Sequence, residues 1–232
     1  NAGCPMADMA CVEDLEEMIK FYPDAFKVCY INSSYEVKAL CDVSVTSSSA
    51  LDILKNVENK QILFLPDRNL GSYIAEFFPE KEFIFWQGFC PTHERISVED
   101  ILTAKEKHPQ VKVLAHPECK KVILMLADKI GSTAALLKYA TESSAKKFIV
   151  ATESGILHEM KKSNPDKTFI PAPPNDSTCA CNECNFMRLN TMKKLYLTLK
   201  YELPEIKVDK DIADRAVLPI KKMLDISSKL GL

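Results

Sequence analysis

The chain has 232 residues, 47% apolar and 27% charged, which is enough apolar material for one or two domain cores. Its formal net charge of −2 excludes a global basic field for nucleic acid. Its uncharged apolar runs, such as 62–64 and 122–126, fall far short of the roughly 20 residues of a membrane span, so it reads as soluble and cytoplasmic.

Gly3-Cys4-Pro5-Met6 stands near the start of the sequence, and the pattern over 12–21 predicts a first helix. Residues 26–31 form an apolar run of strand length, with Tyr30 and Asn32 at its end. Thr46-Ser47 precedes a helical pattern over 50–57. A strand over 61–65, a helix over 69–78 and a strand over 83–86 lead to Phe89-Cys90-Pro91-Thr92-His93. The pattern then begins again, with a helix over 98–107 and a strand over 111–115. His116 and Glu118 follow that strand directly, where both would point the same way on an extended strand end. Gly131-Ser132-Thr133 comes next, then strand runs at 147–151 and 167–170. Cys179, Cys181 and Cys184 follow, with a helical pattern over 185–200 and one or two amphipathic helices over 209–232.

A shift of 86 residues superimposes the two halves without gaps. Pro23 falls on Pro109, Tyr30 on His116, Asn32 on Glu118, Asp42 on Asp128, Thr46-Ser47 on Ser132-Thr133, and Cys4-Pro5 on Cys90-Pro91. The third cysteine equivalent would be Asp176, so an insertion near 171–175 is expected to displace the last cluster. The chain thus divides into 1–4, the end of a first repeat lying upstream of Asn1, the repeats 5–90 and 91–184, and 185–232, helices packing back on the repeats. An upstream extension of about 70–85 residues is expected. Short buried strands alternating with helices predict an α/β fold, with parallel sheets covered on both faces and ligands beyond the carboxyl ends of the strands.

Nine cysteines, an odd number, argue against a disulfide scaffold and for a metal or redox role in a reducing compartment. One cysteine from each of three symmetric units can converge on an axis, and three thiolates suit a cubane cluster with one iron left open. Cys4 and Cys90, matched in register before proline, read as ligands, whereas Cys11, Cys29 and Cys41 read as packed side chains. Cys181-Asn182-Glu183-Cys184 by itself fits zinc, a redox pair or a cluster. Cys184 is the preferred ligand because it leads into a helical pattern whose N-terminus would stabilise a thiolate. His116 and Glu118 can divide acid and base roles. The hydroxyls of Ser47, Ser132 and Thr133 can cradle phosphate or carboxylate, although singly each reads as a helix N-cap.

In this order, Gly3-Cys4-Pro5-Met6, Tyr30-Ile31-Asn32-Ser33, Pro66-Asp67-Arg68-Asn69-Leu70-Gly71, Gly88-Phe89-Cys90-Pro91-Thr92-His93, His116-Pro117-Glu118-Cys119, Gly131-Ser132-Thr133, Thr152-Glu153-Ser154-Gly155 and the loop ending at Cys184 resemble the quinolinate synthase family over nearly the whole chain. The resemblance implies a pseudo-threefold arrangement of αβα sandwich domains, here with most of the first domain absent. It implies a 4Fe–4S cluster held by Cys4, Cys90 and Cys184, and condensation of iminoaspartate with dihydroxyacetone phosphate to quinolinate in NAD biosynthesis. It further implies that the free iron acts as a Lewis acid, that His116 and Glu118 handle protons, and that Tyr30, Asn32, Ser47, His93, Ser132 and Thr133 hold carboxylate and phosphate groups. An L-aspartate oxidase or aspartate dehydrogenase would be the functional partner. An oxidised pair of Cys181 and Cys184 would compete with the cluster. The competing readings are an iron–sulfur sensor or electron carrier and a zinc-stabilised binding module.

Overall fold

The structure, a computed structural model, describes residues 3–172 and 182–231. Two α/β units follow one another with the same element order. The first contains α1 (Val12–Phe21), β1 (Phe26–Tyr30), α2 (Tyr35–Lys38), β2 (Val43–Val45), α3 (Ala50–Lys55), β3 (Gln61–Leu65), α4 (Arg68–Ala75) and β4 (Glu82–Phe85). After a short helix α5 (Pro91–Glu94), the second contains α6 (Val98–Lys107), β5 (Lys112–Ala115), α7 (Lys121–Leu124), β6 (Lys129–Ile130), α8 (Thr133–Glu142), β7 (Lys147–Ala151), α9 (Ile156–Ser163) and β8 (Thr168–Pro171). α10 (Met192–Tyr201) and α11 (Lys210–Leu230) end the chain.

Each unit is a four-stranded, all-parallel sheet, ordered β2-β1-β3-β4 and β6-β5-β7-β8. The 86-residue offset is a register in space. β3 and β7, β4 and β8, α1 and α6, and α2 and α7 match residue for residue under it. It holds as far as Pro171, so the added residues of the second unit fall beyond β8. Residues 173–181, including Cys179 and Cys181, lie outside the described residues.

Val28, Val43, Ile62 and Phe64 bury one face of the first sheet beneath α3 and α4. Cys29, Leu63 and Leu65 bury the other beneath Leu15 of α1 and Val37 of α2. The second sheet repeats the division, with Val113, Ala115, Ile149 and Ala151 on one face and Leu114, Phe148 and Val150 on the other. Burial on both faces explains why these strands read as apolar runs rather than alternations. Each fully buried aliphatic chain contributes about 1.5–3 kcal/mol. α11 packs Met223 and Ile220 against the first core. Of the C-terminal helices expected to pack back, α10 does not. It buries no residue, and Leu195, Tyr196 and Leu199 stand open.

A single 3-10 turn, Met187–Leu189, separates Cys184 from α10. Thr191 caps α10 by accepting from Lys194 N at 3.3 Å, and this sets the helix start eight residues past the cysteine. Cys184 therefore does not sit at a long helix's positive end, contrary to the expectation. Val12, Val98 and Met192 open ten-residue helices at the same distance from Cys4, Cys90 and Cys184.

Candidate active site

The site is built at the carboxyl ends of the strands. β1 ends on Tyr30, with Asn32 just beyond. β5 ends at Ala115, and His116 N continues the ladder by donating to Ala151 O at 3.1 Å. The chain then turns, with Cys119 N donating to His116 O at 3.0 Å. His116 and Glu118 are thus brought together by a tight turn through Pro117, not by the alternation of an extended strand. His93 enters from α5 and Thr152 from the end of β7.

His93, His116 and Glu118 form a buried group, each about 5% exposed. The two imidazoles stack at 5.1 Å between centroids. His93 Nε2 lies 2.9 Å from Thr152 Oγ1. His93 Nδ1 lies 2.8 Å from Glu118 Oε2, but the ring N–H is not aimed along that contact, so the pair is an ion contact rather than an aligned hydrogen bond. His116 Nδ1 accepts from Glu118 N at 3.4 Å and lies 3.7 Å from Glu118 Oε2. Asn69 fixes the turn by donating to Glu118 O at 3.1 Å and to Glu94 Oε2 at 3.0 Å.

Charges follow from this packing. Burial opposes ionisation of Glu118, but the His93 contact, His116 and Tyr30 outweigh it and hold the carboxyl well below its usual range. Burial likewise opposes the charged form of His93, yet the Cys90 sulfur and Glu118 overcome it and raise His93 well above an ordinary imidazole. Burial wins at His116, which is lowered to about 4 despite Glu118, with His93 adding to the depression. Tyr30 is pushed up by burial and by Glu118, beside Ser47. The packing thus favours charge on Glu118 and His93 and disfavours it on His116.

A pocket of about 540 Å³ is lined by Tyr30, Asn32, His93, His116, Glu118 and Thr133, together with Thr152, Glu153 and Met187. A second cavity, about 340 Å³, is lined by Cys4, Cys90 and Cys184 and shares Asn32, His93, Glu118, Glu153 and Met187 with the first. Ser47 meets the Tyr30 phenol and is in neither lining. The Ser132 hydroxyl caps α8, accepting from Ala135 N at 3.3 Å.

Three half-buried free cysteines from three separate chain segments thus face one cavity. That donor set fits an iron–sulfur cluster with three protein thiolates. Cys90 also lies with its Sγ, a His93 nitrogen and a Glu118 oxygen all within 4.8 Å of one another. Cys29 and Cys119 are core residues whose thiols bond to Val43 O and Ala151 O. Burial pushes Cys4 up, with Cys90 and Glu118 adding to the rise against nearby backbone N–H groups.

Sequence reasoning assigned no role to Thr152, Asp67 or Glu153. Asp67 is fully buried; Oδ1 accepts from Leu70 N at 2.8 Å and Oδ2 from Cys90 N at 3.1 Å. Burial, with Glu118 nearby, pushes it up to about 7. Glu153 Oε1 accepts from Cys184 N at 3.2 Å and Oε2 from Gly155 N at 2.6 Å. The 86-residue offset that pairs Asp67 with Glu153 was the available signal.

The family model described as Quinolinate synthetase A protein matches residues 1–225. A quinolinate synthase of Clostridioides difficile (strain 630) is 51% identical over 224 residues, 96% of this chain and 71% of its own length. Those of Microcystis aeruginosa (strain NIES-843 / IAM M-2473) and Chloroherpeton thalassium (strain ATCC 35110 / GB-78) are 48% and 47% identical over 98% of this chain, and 71% and 70% of their own lengths are covered. In none of the described residues is a helix long and apolar enough to cross a membrane. With a match that spans almost every residue and two parallel α/β units that repeat the same site-bearing order, the chain belongs to the quinolinate synthase family, enzymes of NAD biosynthesis.

Proposed function

We propose that this site condenses iminoaspartate with dihydroxyacetone phosphate to quinolinate, with loss of phosphate and two waters, and that Cys4, Cys90 and Cys184 hold a 4Fe–4S cluster for it. The observation that carries the reading is the shared wall of the two cavities, which brings three cysteines and the His93, His116 and Glu118 group to one space. When bound, the cluster supplies a Lewis-acidic iron that favours loss of hydroxyl groups.

The chain's own groups do the rest. Glu118, ionised and buried, accepts a proton at its carboxylate. His116 is neutral with Nδ1 used as an acceptor, so Nε2 carries the proton and donates toward the pocket. The His93 imidazolium balances Glu118 and gives an anionic substrate a positive wall. Asn32, Tyr30 and Thr133 supply further donors. Thr133 opens the ten-residue α8, where the helix dipole favours phosphate or carboxylate. Ser47 and Ser132 act behind this lining, through Tyr30 and through the α8 cap. Iminoaspartate must come from oxidation of aspartate, which makes an L-aspartate oxidase or aspartate dehydrogenase the functional partner, and the half-buried free thiols suit the reducing cytoplasm.

The test is an anaerobic assay of the iron-loaded protein with dihydroxyacetone phosphate and freshly generated iminoaspartate. Quinolinate formation together with a thiolate-to-iron absorption band near about 400 nm is expected. A protein that carries iron but forms no quinolinate would overturn the reading.

A further inference from the structure

Two carboxyl groups, 86 residues apart, do the same thing to two cysteine loops. Asp67 follows β3, and its Oδ2 accepts from Cys90 N at 3.1 Å. The next residue, Arg68, donates its N–H to Gly88 O at 2.9 Å. Glu153 follows β7, and its Oε1 accepts from Cys184 N at 3.2 Å. The next residue, Ser154, donates its N–H to Asn182 O, also at 2.9 Å. In each case the acid takes the cysteine's N–H and its neighbour holds the carbonyl two residues before that cysteine. The second carboxyl oxygen is used as well, on Leu70 N in one unit and Gly155 N in the other.

The correspondence survives a change in loop length. Asp67 precedes Cys90 by 23 residues, and Glu153 precedes Cys184 by 31. The chemistry differs by one methylene, yet both acids reach the same atom of the same residue type. An N-cap alone does not explain this, because capping needs only the contact to the following helix. The cysteine N–H is a second, long-range partner.

We propose that Asp67 and Glu153 are positioning residues, a repeated carboxyl clamp that fixes Cys90 and Cys184 by their backbone N–H groups so that their sulfurs face the shared cavity. The part concerning the cluster rests on the function proposed above; the clamp itself is a statement about these loops. By occupying the cysteine N–H groups, the acids keep them from turning toward a bound sulfur, which is one lever on cluster stability and potential.

The test uses Asp67→Asn and Glu153→Gln in the whole chain, with two readouts. Amide hydrogen exchange reads the clamp without iron. Asp67→Asn should expose the Cys90 amide and leave that of Cys184 protected, and Glu153→Gln should do the reverse. Iron release to a chelator from the reconstituted protein reads the consequence, with release about tenfold faster or more in either variant, the scale for groups that orient metal ligands. If Asp67→Asn does not fold, the half-exposed Glu153→Gln decides alone. Unchanged exchange at the paired cysteine, or unchanged iron release from a protein that binds iron, overturns the proposal. Selective loss of protection in a protein that takes up no iron would support the clamp and count against the cluster.

Discussion

Asp42 and Asp128 close the same loop in the two units. Asp42 accepts from Lys27 N at 2.7 Å and returns its own N–H to Lys27 O at 2.8 Å; Asp128 does the same with Val113, at 2.8 Å both ways. A lysine adds charge at each, Lys27 at 2.9 Å and Lys112 at 2.7 Å. Partial burial pushes the Asp128 carboxyl up, but Lys112 and the Val113 N–H outweigh it and hold it below the usual range. Its contribution is therefore complete above the ordinary carboxylate pKa and lost as pH falls through the lower folded value. Asp128→Ala should cost about 1.5–3 kcal/mol at neutral pH, and the difference from the parent should shrink in acid, as read by denaturant melts across pH.

His116 gives a pH dependence of its own. Its folded pKa of about 4 lies below the 6.5 of an ordinary imidazole. As pH falls between those values the unfolded chain takes up a proton that the folded site refuses, so folding stability declines. The parent should therefore lose stability more steeply than His116→Asn over that window. Parallel curves for the two proteins would contradict the neutral buried imidazole.

Glu118→Gln removes the carboxylate that faces both histidines and Tyr30. Turnover should fall about 10²-fold or more while substrate or product still binds. Steady-state kinetics and a binding titration on cluster-replete enzyme separate these effects. Near-parent turnover would leave proton transfer to His116.

Cys4→Ser, Cys90→Ser and Cys184→Ser should each lose iron and the band near about 400 nm while remaining folded. Cys11→Ser, away from the cavity at the head of α1, should keep both. Iron and sulfide analysis with circular dichroism reads all four.

Gly88 lies where the clamp closes. A Cβ there would stand 2.5 Å from Pro66 O, a backbone atom that cannot step aside. Gly88→Ala should separate the loop from the end of β3, lower stability by about 1–3 kcal/mol and weaken iron retention. A melting curve and a chelator assay check both.

Much of this architecture was legible. The residue runs at 61–65 and 147–151 are strands with those bounds, because strands buried on both faces announce themselves as apolar runs. β2 and β6 were not legible, since three and two residues carry no period. They are placed instead by the Asp42 and Asp128 loops. His116 and Glu118 were found as residues, but the turn through Pro117 that joins them was not. Asp67 and Glu153 hid for a different reason. An acid just past a strand reads as a helix cap, and its long-range partner lies across a loop whose length differs between repeats.

That difference in length bears on how this molecule can change over evolutionary time. The loop between β8 and Cys184 leaves from a paired strand and arrives at a held cysteine, so residues added within it alter the route and not the destination. Lengthening a loop costs little in closure entropy, about 0.6 kcal/mol even for a doubling. The stretch between β8 and Cys184, longer than its counterpart after β4, is thus a place where inserted sequence, extra cysteines included, can be carried as long as the strand and the cysteine stay held.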